Sequence, residues 1–230
     1  MLFVAAEARE FGGLLPYCES VEKLDWPVEW SRMVRLKGRT IFLAANGAGR
    51  KRAADAVDAV RPKLPDLKAV ISTGFCGGLD PTLKIGDVFV ANSIQWGGEL
   101  LPVSAPRSGR RFVSGTLVTI DRVAQTAQEK RDLCSAGASA VDMEAAGVLS
   151  RVREWRLPFY CIRSVTDLAH ESFEIDFNAT RIADGRFSTS RILAAAVKRP
   201  MTAGPELVRL RNRCTTAAKA LGEFIADCSF

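Results

Sequence analysis

The chain has 230 residues, 47% of them apolar and 25% charged, which is the balance of a globular protein rather than of a disordered or collagen-like one. At roughly 150 residues per domain this length fits one large domain covering residues 1–230. The net charge of +6 is spread, with local groups at Arg50-Lys51-Arg52, around Arg107, Arg110 and Arg111, and at Arg209, Arg211 and Arg213. A solvated basic face is the plain reading, with an anionic ligand or peripheral contact with an acidic membrane surface as alternatives; nucleic acid is not an expected partner.

No apolar run reaches the roughly 18 residues of a membrane span. Met1 to Glu10 lacks a basic start and a small-residue cleavage site, so no signal peptide is expected and the expected location is cytoplasmic. The six cysteines form no Cys-x-x-Cys pair and His170 is the only histidine. Zinc spacing is therefore missing, no metal is expected, and the cysteines read as free thiols. A single histidine also weakens any Ser-His-Asp or Cys-His scheme.

In chain order, Leu2 to Ala6 reads as a buried strand. Arg32 to Leu36 and Thr40 to Ala45 read as a hairpin about Lys37-Gly38-Arg39. After Asn46-Gly47-Ala48-Gly49, the residues Ala53, Ala54, Val57 and Val60 recur at helical spacing, which predicts a helix from Arg50 to Val60 ended by Pro62 and Pro65. Ala69 to Ser72 is a buried strand, followed by the glycine-rich Thr73-Gly74-Phe75-Cys76-Gly77-Gly78.

Asp87 to Ala91 and Phe112 to Thr119 are strand-like. The weakly patterned residues 97–111 between them read as a loop over an active site. Asp121 is expected to cap a helix running through Lys130. Ala140 to Trp155 reads as helical, Phe159 to Val165 as a strand, and Pro205 to Cys228 as a closing helix. Strands alternating with helices predict an α/β fold with a largely parallel sheet covered on both faces.

Four segments carry chemistry. The block Gly74 to Asp87 has neither dinucleotide nor P-loop spacing, so it reads as a tight turn or a ligand loop. In Val141-Asp142-Met143-Glu144, two acids at a helix start suit the helix dipole; as a functional group, a carboxylate there accepts two vicinal hydroxyls. Arg163-Ser164-Val165-Thr166-Asp167 ends a buried strand, where ligands of open α/β sheets bind. Its aspartate reads either as a helix cap or as a partly desolvated acid. Glu7 and Glu10 follow the first strand in the same way.

In order and separation these segments strongly resemble the nucleoside phosphorylase/nucleosidase superfamily: a strand and an acid, then Thr-Gly-x-x-Gly-Gly-Leu-x-Pro-Thr-Leu-Lys-x-Gly-Asp, then Met-Glu-Ala, then Arg-x-x-Thr-Asp. The resemblance covers roughly residues 1–170 and is nearest to the methylthioadenosine/S-adenosylhomocysteine nucleosidases. It implies a single three-layer α/β/α domain around a twisted mixed sheet, assembled as a dimer. It also implies cleavage of the N-glycosidic bond of a small purine nucleoside, a 5′-modified adenosine, without a cofactor.

Carried over by motif, Asp167 matches the acid at purine N7. Glu10, with Glu7 as second candidate, matches the acid that activates water. Glu144 matches the clamp on the ribose hydroxyls, and Met143 packs on the sugar. Arg163 and Thr166 match positions that orient the acid. Thr73, Phe75 and Val123 complete the implied substrate-binding set.

The chain departs from the phosphorolytic members. Ala5 to Glu10 stands where they carry Gly-Asp-Pro-x-Arg, and Phe75 stands where they carry serine. Both changes favour water, while Arg50 or Arg107 keeps inorganic phosphate open as co-substrate. Adenine-type nucleosidases have an aromatic just after a Gly-Asp step; here the step is Ile120-Asp121-Arg122-Val123, with Arg122 in place of the aromatic. The stretch Val118 to Lys130, with Ala140 to Glu144, is more similar to the hopanoid-associated phosphorylases, whose expected substrate is adenosylhopane. Trp96, Phe75 and Phe112 are the candidate linings for such a bulky 5′ group. A non-catalytic nucleoside-binding protein is the alternative from another class.

Overall fold

The computed structural model describes residues 1–182 and 200–230, together with Ser190, Ala194 and Val197. Its ten strands are β1 (Leu2–Ala5), β2 (Ser20–Lys23), β3 (Trp30–Leu36), β4 (Arg39–Ala45), β5 (Val70–Gly78), β6 (Val88–Trp96), β7 (Glu99–Pro102), β8 (Val113–Thr119), β9 (Ala140–Asp142) and β10 (Phe159–Asp167). The helices are α1 (Arg50–Val60), α2 (Ala127–Ser135), α3 (Ala145–Glu154), the short α4 (Phe177–Thr180) and the long α5 (Pro200–Asp227). Among the described residues no helix is long and apolar enough to cross a membrane. All six cysteines are free.

The strands form one mixed sheet with β5 at its hub. On one flank β5 pairs in parallel with β1, which continues through β4 and β3 to β2. On the other flank β10 runs parallel to β5, from Phe159 opposite Val70 to Asp167 opposite Gly77. Beyond β1, the end of β5 pairs with β9. The path β10–β6–β8–β9 then returns to β5, so half of the sheet closes into a small barrel.

Strand alternation sorts the core into two layers. Leu2, Val4 and Ala44 face α1 and α3, where they meet Val57, Val60, Val148 and Val152. Phe3, Ala5, Leu43 and Ala45 face the other way, onto Leu221, Phe224 and Ile225 of α5 and onto Phe11. Each such fully buried aliphatic or phenyl side chain contributes roughly 1.5–3 kcal/mol. Helix α5 lies backbone to backbone against the turn that follows Glu10: a Cβ on Gly222 would fall 1.9 Å from the carbonyl carbon of Gly13.

Helix α1 has the predicted bounds, and the β3–β4 hairpin turns at Lys37-Gly38 with φ of 49° and 72°, the left-handed pair that suits a two-residue hairpin. Four expectations are corrected. The glycine run is neither turn nor loop: β5 continues through it, because β9 and β10 pair with its two edges. Residues 140–142 are strand, and α3 begins only at Ala145. Asp121 does not cap α2. The hydroxyl of Thr126 accepts from the Glu129 N–H at 3.1 Å and the Glu129 carboxylate accepts from the Thr126 N–H at 3.0 Å, a reciprocal cap that starts the helix at Ala127. Within 97–111, β7 pairs back on β6 and Arg107 bridges to Ser229, so this segment lies away from the chamber described next.

Candidate active site

A chamber of about 220 Å³ opens where β5 and β10 end, and Glu10, Glu144 and Asp167 are among its walls. Two glycines of β5 make room for two of these carboxylates. A Cβ on Gly74 would lie 2.6 Å from Glu10 Oε1, and one on Gly77 would lie 2.9 Å from Asp167 Oδ1. Gly74 also has φ of 138°, which L residues rarely adopt. Two residues, Phe75 and Cys76, lie between the glycines, which stand roughly 10 Å apart along β5 at about 3.3 Å per residue.

Glu10 sits in a 3₁₀ turn, Ala8–Phe11, directly after β1 and is buried. Its Oε2 accepts from the Glu7 N–H at 2.8 Å and its Oε1 from the Phe75 N–H at 2.9 Å. Burial raises its pKa, while these two donors and the Arg163 charge hold it back. Glu7 lines the same chamber, but its side chain is 42% exposed and pairs with Arg9 at 2.5 Å.

Asp167 ends β10. Its Oδ1 pairs with the ammonium of Lys130, and its Oδ2 lies 3.2 Å from the Thr166 hydroxyl, which also reaches the Cys76 carbonyl at 3.3 Å. Burial raises the Asp167 pKa and Lys130 opposes that rise. Lys130 was missed in the sequence, where nothing local marks it; in the structure it is the only buried residue of α2.

Glu144 accepts from the Gly49 N–H at 2.7 Å and from the Met143 N–H at 3.3 Å. Burial, followed by the charge of nearby Asp142, pushes its pKa up to about 8. Met143, Phe75 and Val123 also line the chamber.

Arg163 does not orient Asp167. It is 1% exposed and binds Asp142 at 2.6 Å and the Ser72 hydroxyl at 2.8 Å. The pairing irregularity between Val165 and Asp167 separates side chains that a regular strand would align on one face. Asp142 in turn accepts from the Thr119 hydroxyl at 2.7 Å and the Ala145 N–H at 2.8 Å. The Arg163–Asp142 pair thereby fixes the end of β9 and the start of α3, on either side of Glu144.

Thr73 is buried outside the chamber walls, with no partner for its hydroxyl among the described residues. Trp96 and Phe112 are not walls either: Arg50 stacks on Trp96 at 4.3 Å, and Phe112 meets Phe224 edge-on at 5.6 Å. Arg50 is further held by Asp121 at 3.3 Å. The arginines that do line the chamber are Arg9 and Arg122.

A second cavity of about 480 Å³ shares Phe75, Val123, Asp167 and Phe173 with the chamber and runs on past Phe177 to Leu207 and Leu210 of α5. Its wall is pinned by side-chain amides. Asn178 brackets the main chain of Val123, accepting from its N–H at 2.8 Å and donating to its carbonyl at 3.0 Å, and Gln125 donates to the Ile175 carbonyl at 2.7 Å.

Comparison with known proteins agrees with this fold. The 5'-methylthioadenosine/S-adenosylhomocysteine nucleosidase of Staphylococcus aureus (strain bovine RF122 / ET3-1) is 26% identical over 175 residues, 63% of this chain and 75% of the relative. The crystal structure of the corresponding nucleosidase from Neisseria meningitidis, in complex with methylthio-immucillin-A, shares the fold with a TM-score of 0.72 at 20% identity, covering 98% of this chain and 96% of the other. That of the Campylobacter jejuni nucleosidase gives 0.70 at 16% identity, with 98% and 96% covered. The sequence profile described as the phosphorylase superfamily matches residues 30–105 and 99–198. Those segments span well over half of the chain, which belongs to the phosphorylase superfamily.

Proposed function

We propose that the chain is an N-ribosyl nucleosidase that cleaves the N-glycosidic bond of a purine nucleoside, a 5′-modified adenosine, with water as the nucleophile. One observation carries the reading: two buried carboxylates, Glu10 and Asp167, stand at separate glycines of one strand and face one chamber, with Glu144 as a third wall. Ribosyl cleavage passes through an oxocarbenium-like state, which an acid at the leaving group and a carboxylate near the water both serve.

In this reading Asp167 delivers a proton to purine N7, so that the base leaves neutral. A positioned acid is worth about 10²–10⁴-fold. Glu10, held by two main-chain donors, takes the proton of the attacking water. Glu144 accepts from the ribose hydroxyls and holds the sugar in place before reaction. Met143 packs on the sugar, and Thr166 orients Asp167. Phe75 and Val123 line the base and 5′ sides. No cofactor takes part. Residues 1–230 act as one domain, in a cytoplasmic homodimer.

A second reading is phosphorolysis of a nucleoside with a bulky apolar 5′ group, such as adenosylhopane. The cavity running from the chamber along Phe173, Phe177, Leu207 and Leu210 favours the bulky group, and Arg9 beside Glu10 offers an anion a partner. Peripheral contact of the basic surface with a membrane belongs to that reading. A non-catalytic nucleoside binder has no use for two opposed acids.

The deciding experiment is adenine release from methylthioadenosine, S-adenosylhomocysteine and adenosylhopane, each with and without phosphate. Phosphate-independent release is the expected result. Release only with phosphate replaces it with the second reading, and binding without release supports the non-catalytic one.

A further inference from the structure

We propose that Lys130 is the proton source behind Asp167, the ammonium and the carboxylate working as one unit that hands a proton to the departing base. The inference rests on the nucleosidase reading above and assigns it a further residue. Lys130 acts through Asp167 and is therefore a positioning residue.

The case begins with an anomaly of packing. An amphipathic helix buries apolar residues, yet the only buried residue of α2 is this lysine, and none of its side chain is exposed. A buried ammonium without partners is costly. Here it has three: Asp167 Oδ1, the Leu168 carbonyl at 2.9 Å, and the face of Phe173 at 5.1 Å. A tether between α2 and the end of β10 would be achieved as well by a leucine. The charge is aimed at one oxygen of the carboxylate that faces the chamber.

The protons balance as follows. Before reaction the pair holds an ammonium and a carboxylate. As the glycosidic bond breaks, an N–H bond of Lys130 breaks and an O–H bond forms on the Asp167 carboxylate; that same O–H bond then breaks as N7–H forms. The base leaves neutral, Asp167 ends as a carboxylate, and Lys130 ends as a neutral amine. Water adds to the ribosyl cation and gives its proton to Glu10. Return of that proton to Lys130 through solvent resets both groups.

Other titratable groups near the pair are fixed by their own surroundings. Burial pushes the Cys76 thiol of β5 well up, and it likewise raises the Cys214 thiol of α5. Burial would raise Glu171, after β10, but the two hydrogen bonds it accepts from Arg213 of α5 bring it down to about 2, with Arg209 adding to that. Glu129 of α2 is held down by two main-chain N–H donors and Arg122. Across the chamber, Glu7 is paired with Arg9 and Asp142 with Arg163, while Glu10 and Glu144 are common to the enzyme and its Lys130 variants.

The test is the pH profile of kcat for the enzyme, Lys130→Met and Lys130→Arg. With the ammonium as source, the alkaline limb belongs to the pair. In Lys130→Met it falls to Asp167 alone and moves down by at least about one unit, with kcat near pH 8 reduced at least tenfold and KM little changed. Lys130→Arg, whose guanidinium keeps its charge at every working pH, holds Asp167 ionised without supplying a proton, so kcat near pH 8 falls as it does in Lys130→Met. A limb that stays in place in Lys130→Met marks a structural tether, and one that moves up marks a lysine that only holds Asp167 ionised; either overturns the proposal.

Titration of ¹⁵N-lysine-labelled protein by NMR separates this from the function itself. The Lys130 signal, identified by its loss in Lys130→Met, should titrate at lower pH in Asp167→Asn than in the parent. Base release with an unmoved Lys130 titration overturns the proton unit alone. A moved titration with no base release from any substrate overturns the nucleosidase reading.

Discussion

Replacing Gly74 with alanine tests the geometry of the chamber most directly. Two costs add. Alanine at φ of 138° carries backbone strain of about 1–3 kcal/mol. Its methyl would also stand 2.6 Å from Glu10 Oε1 and 2.9 Å from Cδ, so the carboxylate must withdraw. It then loses the bond from the Phe75 N–H, and such a bond to a charged group is worth about 1.5–3 kcal/mol.

Together these come to about 2.5–6 kcal/mol, and at roughly 2–4 °C per kcal/mol for a chain of this size the Tm falls by at least about 5 °C. A displacement near 1 Å of a reacting group costs about 10² in rate, so kcat for base release falls by that order. Gly38→Ala is the control, since Gly38 has φ of 72° with nothing within 4 Å of a Cβ: it pays only the strain and leaves kcat intact. Thermal denaturation and adenine release on both variants decide the matter. Equal Tm and equal kcat in the two would refute the claim that Gly74 exists to seat Glu10.

Three further outcomes are expected. Asp167→Asn retains nucleoside binding, measured calorimetrically, and loses about 10²–10⁴-fold in kcat. Arg163→Met leaves Asp142 buried and unpaired, which costs about 3–5 kcal/mol and is read by urea denaturation. Glu144, raised from 4.5 to about 8, holds its proton more tightly folded than unfolded; it supports the fold below pH 4.5 and that support is lost as pH rises to 8. The parent Tm therefore declines across this window, Glu144→Gln flattens the decline, and the same variant raises KM while lowering kcat. An identical slope in the two proteins would count against the buried, protonated carboxyl.

What was legible in the sequence was whatever local pattern controls. Ala53, Ala54, Val57 and Val60 define α1 because its one apolar stripe meets the sheet directly. The order of the acids around the glycine block was legible too, and Glu10, Glu144 and Asp167 do line one chamber. The misreadings came from long-range pairing. Gly74 to Gly78 has poor strand propensity, and only its neighbours β9 and β10 make it a strand. Arg163 was assigned to the acid nearest in sequence, whereas its partner Asp142 arrives from another strand. Lys130 looked like a surface charge because nothing local reveals that Asp167 lies beneath it.

The hub position of β5 bears on how the protein is made. Roughly 80 residues separate Gly78 from Phe159, and at about 5–20 residues per second a ribosome needs roughly 4–16 s to cross them. Through that interval the flank of β5 that will receive β10 has no partner. Such an open edge invites foreign strands, yet its last residues are largely glycine, which gives an intruding strand little side-chain surface to grip. The glycines that later seat the carboxylates thus also guard the nascent chain. Contacts of such long sequence separation form slowly, and since β10 is the last strand among the described residues, a chain halted before Phe159 lacks Asp167 and the wall of the chamber that it forms.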